Sequence, residues 1–359
     1  MVQEAFYLTQ HLLTARYNQY TNDSEATVTQ NLTTRGNLEA NPQSPSTSVG
    51  QGQFRVFCQY SHLNYDDPIV YPNQEGAAHL HLYWGNTKAD YTTTTSSLLN
   101  KGGSSCEGYE ANRTAYWMPA VLDGSNKVVI PQSLLMYYKS ASNLNAQTNS
   151  MPQGLKMIAG NAKGNSLSTP NNVNGIQWQC YTGSLVYTYQ GQTIPDTCPP
   201  NPGTNPNDNF PINLVAIVYF PSCVAVDGQG NPVLDSADHK SHLAYFVSAG
   251  GGNLACPSTH PFIMPQLSYH VSWPGNLNYS TWHLSSDRMN PVVPDGSSLH
   301  ADWYNGWNKN IIDHWTKGCI NTGQNCSNGV MGSAPGFPLQ QLKKVPTDYT
   351  GPNFLTLPN

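Results

Sequence analysis

Charge is what this sequence has least of: only 10% of its 359 residues are Asp, Glu, Lys or Arg, against about a quarter in an ordinary soluble domain. A formal net charge of -5 leaves no basic footprint for a phosphate backbone, so nucleic acid is excluded as a partner. No run approaches the roughly 18 apolar residues of a membrane span. Residues 1–20 hold no basic stretch followed by an uninterrupted apolar run, so no signal peptide is read there, and the chain is taken as a mature or trimmed product. The absence of any Cys-x-x-Cys pair argues against zinc ribbons and thioredoxin-like redox chemistry. No Gly-rich phosphate loop, dinucleotide fingerprint or His-Glu-x-x-His motif is present, which removes nucleotide-dependent and zincin-type enzymes. Ser286 lacks a Gly-x-Ser-x-Gly elbow and is a poor nucleophile candidate.

Polarity comes instead from Asn, Thr, Ser, Gln and 21 tyrosines, a surface chemistry suited to extracellular proteins with long loops. The cysteines, Cys58, Cys106, Cys180, Cys198, Cys223, Cys256, Cys319 and Cys326, are even in number and read as disulfides. Sequence does not choose among about 105 connectivities; the simplest pairing joins sequential neighbours, each bridge contributing roughly 2–4 kcal/mol. Oxidising, extracellular surroundings follow. Sequons begin at Asn22, Asn31, Asn112, Asn278 and Asn325.

Three parts are expected: an amino-terminal arm over 1–52, a β domain over 53–330 and a carboxy-terminal tail over 331–359. Strand signals recur between turn-rich segments, as in Phe54-Arg55-Val56-Phe57-Cys58, Leu134 to Lys139 and the very apolar Ile212 to Phe220, which should lie centrally in a sheet. The predicted fold is mainly β, a sandwich or jelly-roll-like domain with long disulfide-pinned loops and few helices. Trp303, Trp307, Ile311 and Trp315 repeat at helical spacing, which predicts a helix packed on the sheet.

The stretch His79-Leu80-His81-Leu82-Tyr83-Trp84 alternates strictly. Extended, it sends Leu80, Leu82 and Trp84 to a core face and His79, His81 and Tyr83 to the other. Two histidines so placed have Cα atoms roughly 6.5–7 Å apart, within reach of one metal ion or substrate group. The plainer alternative is a pair of histidines hydrogen-bonded on a half-buried face. Of the preceding Asp66 and Asp67, which cannot share one face if extended, Asp67 is expected to face the histidines.

Three later clusters carry similar chemistry. Asp235 to His242 offers His242 just before a strand; Cys256-Pro257-Ser258-Thr259-His260-Pro261 fixes His260 on a stiff loop. Asp287 closes Leu284-Ser285-Ser286-Asp287, and in His300-Ala301-Asp302 the aspartate can orient the imidazole and set its tautomer.

The order of Phe-x-Val-x-Cys-x-x-Ser-His, Asp-Asp-Pro-Ile-Val, His-Leu-His, Ala-Tyr-Trp-x-Pro, Tyr-Tyr-Lys, Gly-Leu-Lys-Met-Ile-Ala-Gly, Asp-His-x-Ser-His and Leu-Ser-Ser-Asp followed by His-Ala-Asp resembles the domain of unknown function nineteen-ninety-six family over about residues 54–326. The resemblance implies a secreted protein of the kind found in fungi and bacteria, sometimes joined to carbohydrate-binding modules, and no reaction. Val224-Ala225-Val226-Asp227-Gly228 stands where the family has Cys-Trp-Asp-Gly, and the amino-terminal arm is an addition.

The candidate catalytic set is therefore His79, His81, Asp67, His242, His260, Asp287, His300 and Asp302, with His79, His81 and His242 as ligands of a single transition-metal ion. Two readings stay open. One is an extracellular glycan-active enzyme, hydrolytic or lytic and metal-assisted. The other is a non-catalytic surface or matrix protein that binds polysaccharide or self-assembles through its arm into a homo-oligomer or filament.

Overall fold

Alternating burial along Gln53–Cys58 and Ser133–Lys139 marks strands with one inward row of side chains and one outward row. The computed structural model describes residues 37–47, 51–141, 147–164, 175–182, 186–199, 212–275, 277–289, 293–345 and 354–357. Thirteen strands make the two sheets that frame the molecule: β1 (Ser46–Thr47), β2 (Gln53–Cys58), β3 (Tyr60–Asn64), β4 (His81–Gly85), β5 (Ala115–Pro119), β6 (Ser133–Lys139) and β7 (Lys156–Gly160), followed by β8 (Ile176–Thr182), β9 (Val186–Gly191), β10 (Ile212–Tyr219), β11 (Gln266–Pro274), β12 (His300–Tyr304) and β13 (Gln324–Cys326). One sheet has eight strands in the order β1-β13-β2-β6-β11-β10-β8-β9, the other five in the order β3-β4-β5-β12-β7. Within both, all neighbours are antiparallel except β2 and β13.

The core is the dry layer between these sheets. Phe54, Val56, Leu134, Met136, Leu214, Ala216, Tyr269 and Val271 face Leu82, Trp84, Tyr116, Met118, Met157, Ala301 and Trp303, all buried in one cluster. Each such large side chain contributes about 1.5–3 kcal/mol relative to exposure. The mainly β sandwich predicted from strand periodicity is therefore the fold, and β10, the most apolar strand, sits inside its sheet. Helices are few and short, as in α1 (Thr95–Asn100) and α2 (Lys309–Trp315). The tryptophan stripe divides: Trp303 lies on β12, Trp307 precedes the helix, and only Ile311 and Trp315 are helical. All three tryptophans are buried, with Trp315 stacked on Phe54 at 4.9 Å between ring centroids.

The disulfides join sequential neighbours, Cys58–Cys106, Cys180–Cys198, Cys223–Cys256 and Cys319–Cys326. Of the sequons among the described residues, Asn112 is fully buried and accepts a hydrogen bond from the Tyr116 hydroxyl. Asn325 is held by Arg55, whereas Asn278 is exposed. Residues 1–36 of the arm lie outside the described residues; its described part is tied to the body, through β1 on β13 and a bridge between Leu38 and Leu342. The tail contributes a hairpin over 330–341 and the strand Phe354–Thr356, which pairs with Lys127–Val129. No helix of the described residues is long and apolar enough to cross a membrane.

Candidate metal centre

Antiparallel register places the histidines. Along one row of the five-stranded sheet His62, Tyr83, Trp117, Asp302 and Ile158 are successive partners. In the adjacent row His81 pairs with Pro119 on β5, and His300 pairs with Gly160 on β7. Period-two alternation puts all of these on the face turned away from the sandwich core. β4 and β12 are separated by β5, roughly 10 Å between strand axes, and the short Pro119 lets two imidazoles lean over it towards each other. His79, just ahead of β4, closes the group: its ring centroid is 4.1 Å from that of His81 and 5.0 Å from that of His300.

Alternation alone predicts that this second face is open. It is buried instead, because the segments after β3 and β4 fold over it. Ile69, Tyr83, Ala89, Leu98, Ala115, Trp117 and Tyr304 make a second apolar cluster there. His81, His300, Asp67 and Asp302 are all buried, and His79 is half-buried.

Two overlapping groups of donors result: His79, His81 and His300, and Asp67, His81 and Asp302, the donor atoms of each within 4.8 Å of one another. The tautomers are set by the backbone. His81 Nδ1 donates to the Asp66 carbonyl at 3.0 Å and His300 Nδ1 donates to the Ser298 carbonyl at 2.8 Å, so each Nε2 carries its lone pair inward. His79 Nε2, His81 Nε2 and Asp302 Oδ2 are buried without a hydrogen-bond partner. His300 Nε2 lies 4.0 Å from Asp302 Oδ2. Unsatisfied buried atoms each cost free energy, and three that converge, two imidazole nitrogens and a carboxylate oxygen, fit the donor set of a transition-metal ion.

Electrostatics agree with that assignment. Burial, then the neighbouring His300, lowers His81 to about 3, and burial lowers His300 to about 4. His79 is also pushed down, by burial first and then by His81 and His300. The imidazoles are thus neutral, the form that binds metal. Asp302 is raised well above the carboxylate range by burial and by Asp67. Asp67 is likewise raised by burial, although the amides of Val70 and Ile69 oppose this by donating to its Oδ1 at 2.9 and 2.8 Å. A cation between them would relieve both carboxyls.

Asp66 turns away from the centre: its carboxylate accepts from Asn64 Nδ2, Gly76 N and Tyr91 N and fixes the loop. Asp287 does not enter either group. It accepts from the amides of Leu284, Gly296 and Ser298 and from Ser298 Oγ, and so holds the residue whose carbonyl orients His300. His242, expected as the third ligand, is engaged elsewhere: Nδ1 lies 2.9 Å from Ser236 Oγ and Nε2 donates to the Lys156 carbonyl at 2.9 Å. His300 takes its place in the triad. His260 also has both nitrogens occupied, with Thr259 Oγ1 and the Ser241 carbonyl. Both histidines are drawn off because a hydroxyl of their own loop takes Nδ1 and a backbone carbonyl from a neighbouring segment takes Nε2.

Sequence reasoning passed over Lys240. Its ammonium donates to the Gly160 carbonyl at 2.8 Å, and its charge acts on both Asp302 and His300. A lysine inside the Asp-His-Lys-Ser-His cluster was the available signal. Beside it, His239 sits at a left-handed φ of 57° and is held by Asp235 at 2.8 Å; its charge acts on Asp67.

Fold and site together define a disulfide-braced β-sandwich with a buried histidine and carboxylate centre on the outer face of its smaller sheet. The chain belongs to the family described as domain of unknown function (DUF1996), whose model matches residues 67–307. That span begins at Asp67 and contains every residue of the centre. No curated protein and no solved structure matches the chain.

Proposed function

We propose that His79, His81 and His300, with Asp302 and Asp67 beside them, hold a single transition-metal ion, and that the protein uses this centre to cleave glycan outside the cell. The observation that carries the reading is the convergence of inward nitrogen lone pairs in a buried space, two of them fixed by backbone acceptors. The ion would supply Lewis-acid polarisation of a substrate oxygen. The chain's own residues do the rest. Asp67 keeps Oδ2 free of the amides that bind Oδ1 and can take a proton. Lys240 brings positive charge to the carboxylate side and can receive an acidic or polarised group. The apolar cluster around Tyr83 and Trp117 keeps bulk water from the imidazoles. Four disulfides and an uncharged polar composition support an extracellular setting.

Elemental analysis of untagged protein tests the centre directly. One equivalent of a transition metal is expected in the native protein, and less than a tenth of that in His81→Ala and His300→Ala. Product analysis on polysaccharide panels then separates new reducing ends from the unsaturated ends of elimination. A protein that takes up no metal after chelation and reloading, with the histidine variants behaving as wild type, would leave a non-catalytic glycan-binding or self-assembling protein.

A further inference from the structure

The outer face of the eight-stranded sheet carries a cavity of about 430 Å³, on the opposite side of the sandwich from the histidines. That volume is in the range of small-ligand sites. Its floor is Leu135, Val215 and Ile217, outward-facing yet shielded. Around it stand Tyr137, Tyr181, Tyr187 and Tyr219. Register explains the gathering: Tyr137 and Tyr219 flank Ser268 across three strands, and Tyr181 pairs with Tyr187. Among the described residues, none of these four hydroxyls is hydrogen-bonded to protein. Tyr187 is 44% exposed and its ring lies 5.7 Å from that of Tyr181.

The rest of the lining is Phe57, the imidazole of His270, whose ring lies 4.6 Å from that of Tyr137, and a set of amide, hydroxyl and cationic groups. Gln179, Asn213, Ser133 and Ser272 supply neutral donors and acceptors, and Lys139 supplies an ammonium 4.5 Å from the centre of the Tyr137 ring. Arg55 approaches the same ring at 5.6 Å. No carboxylate lines the cavity, and neither cation has a carboxylate partner among the described residues. Tyrosine rings stack on the C–H faces of sugars while free hydroxyls and amides exchange hydrogen bonds with theirs; an unpaired ammonium asks for an anion. A neutral sugar would leave Lys139 uncompensated, and an apolar peptide would leave four phenols unmatched.

We infer that this tyrosine-walled cavity binds a uronic-acid-containing polysaccharide, the sugar carboxylate meeting Lys139 and the sugar ring lying on Tyr187. It deepens the glycan reading by naming a substrate class, and it stands apart from the metal, because it lies on the other sheet.

Calorimetric titration of chelator-treated full-length protein with a uronate oligosaccharide and with its carboxyl-reduced neutral twin tests this. The uronate should bind at least about tenfold more tightly than the twin. Lys139→Gln should abolish that preference, and Tyr187→Ala, at an exposed position, should weaken uronate binding about tenfold with an unchanged melting temperature. Because the titration is run on chelator-treated protein, loss of the metal reading leaves this one standing. Equal affinity for the two sugars, no uronate binding, indifference to Tyr187→Ala, or uronate binding only after deletion of residues 1–36 would each overturn the assignment.

Discussion

Asp302→Asn is the most informative single change at the centre. Asp302 and Asp67 place carboxylate oxygens within 4.8 Å of each other in a buried space. At that distance two unit charges repel by about 1 kcal/mol in water and about 3 kcal/mol at an effective dielectric of 20. Asp302 is raised well above its ordinary value by burial and by Asp67. A carboxyl raised in the folded state contributes stability below its unfolded pKa of about 3.9, and loses it as pH rises through the folded value. Replacing it by the isosteric amide should therefore stabilise the metal-free protein at pH 7–8 by about 1–3 kcal/mol, with the gain vanishing towards pH 4. In the presence of metal the sign reverses, because wild type gains binding energy that the variant lacks. Urea denaturation with chelator and with added metal, at several pH values, measures both. A metal-free variant less stable than wild type at pH 8, or one that gains as much from metal, would refute the reasoning.

The buried imidazoles add an acid limb. His81 and His300 have folded values of about 3 and about 4, below the unfolded 6.5, so the unfolded state binds more protons and stability falls as pH drops from about 6.5 towards 4. The slope should reach about 1.4 kcal/mol per pH unit for each histidine, read from denaturation midpoints, and His300→Asn should flatten it. For the same reason metal release on acidification should set in below the ordinary histidine value of about 6.5. Gly160→Ala should lose metal and stability together, since a Cβ there would lie 2.3 Å from the Leu299 carbonyl oxygen and 2.7 Å from His300 Cα, at a φ of +84°; calorimetry and metal titration check this. Asp287→Asn should weaken metal binding about 10–100-fold through the Ser298 carbonyl that orients His300, measured by competition with a chelator. Leu82→Ala should cost about 2–5 kcal/mol of stability while retaining one equivalent of metal, because Leu82 points into the inter-sheet core.

Which of about 105 disulfide pairings forms was left to the tertiary structure, which selects the sequential one, whereas strand periodicity was enough for the class of fold, because alternation is local in sequence. The pairing of His79 with His81 was legible for the same reason: one extended stretch puts both on one side. Which other residues join them was not local. His300 reaches His81 only because β5 lies between their strands and carries the short Pro119 at the matching register, and His242 is lost to the site because Ser236 and the Lys156 carbonyl meet it first. Burial of the histidine face was hidden too, since the loops that cover it come from sequence that reads only as polar turns. Tertiary structure decided the ligand set, the tautomers and the depressed histidine values, all of which depend on carbonyls and charges brought across strands, and it alone gathered four tyrosines from β6, β8, β9 and β10 into one cavity.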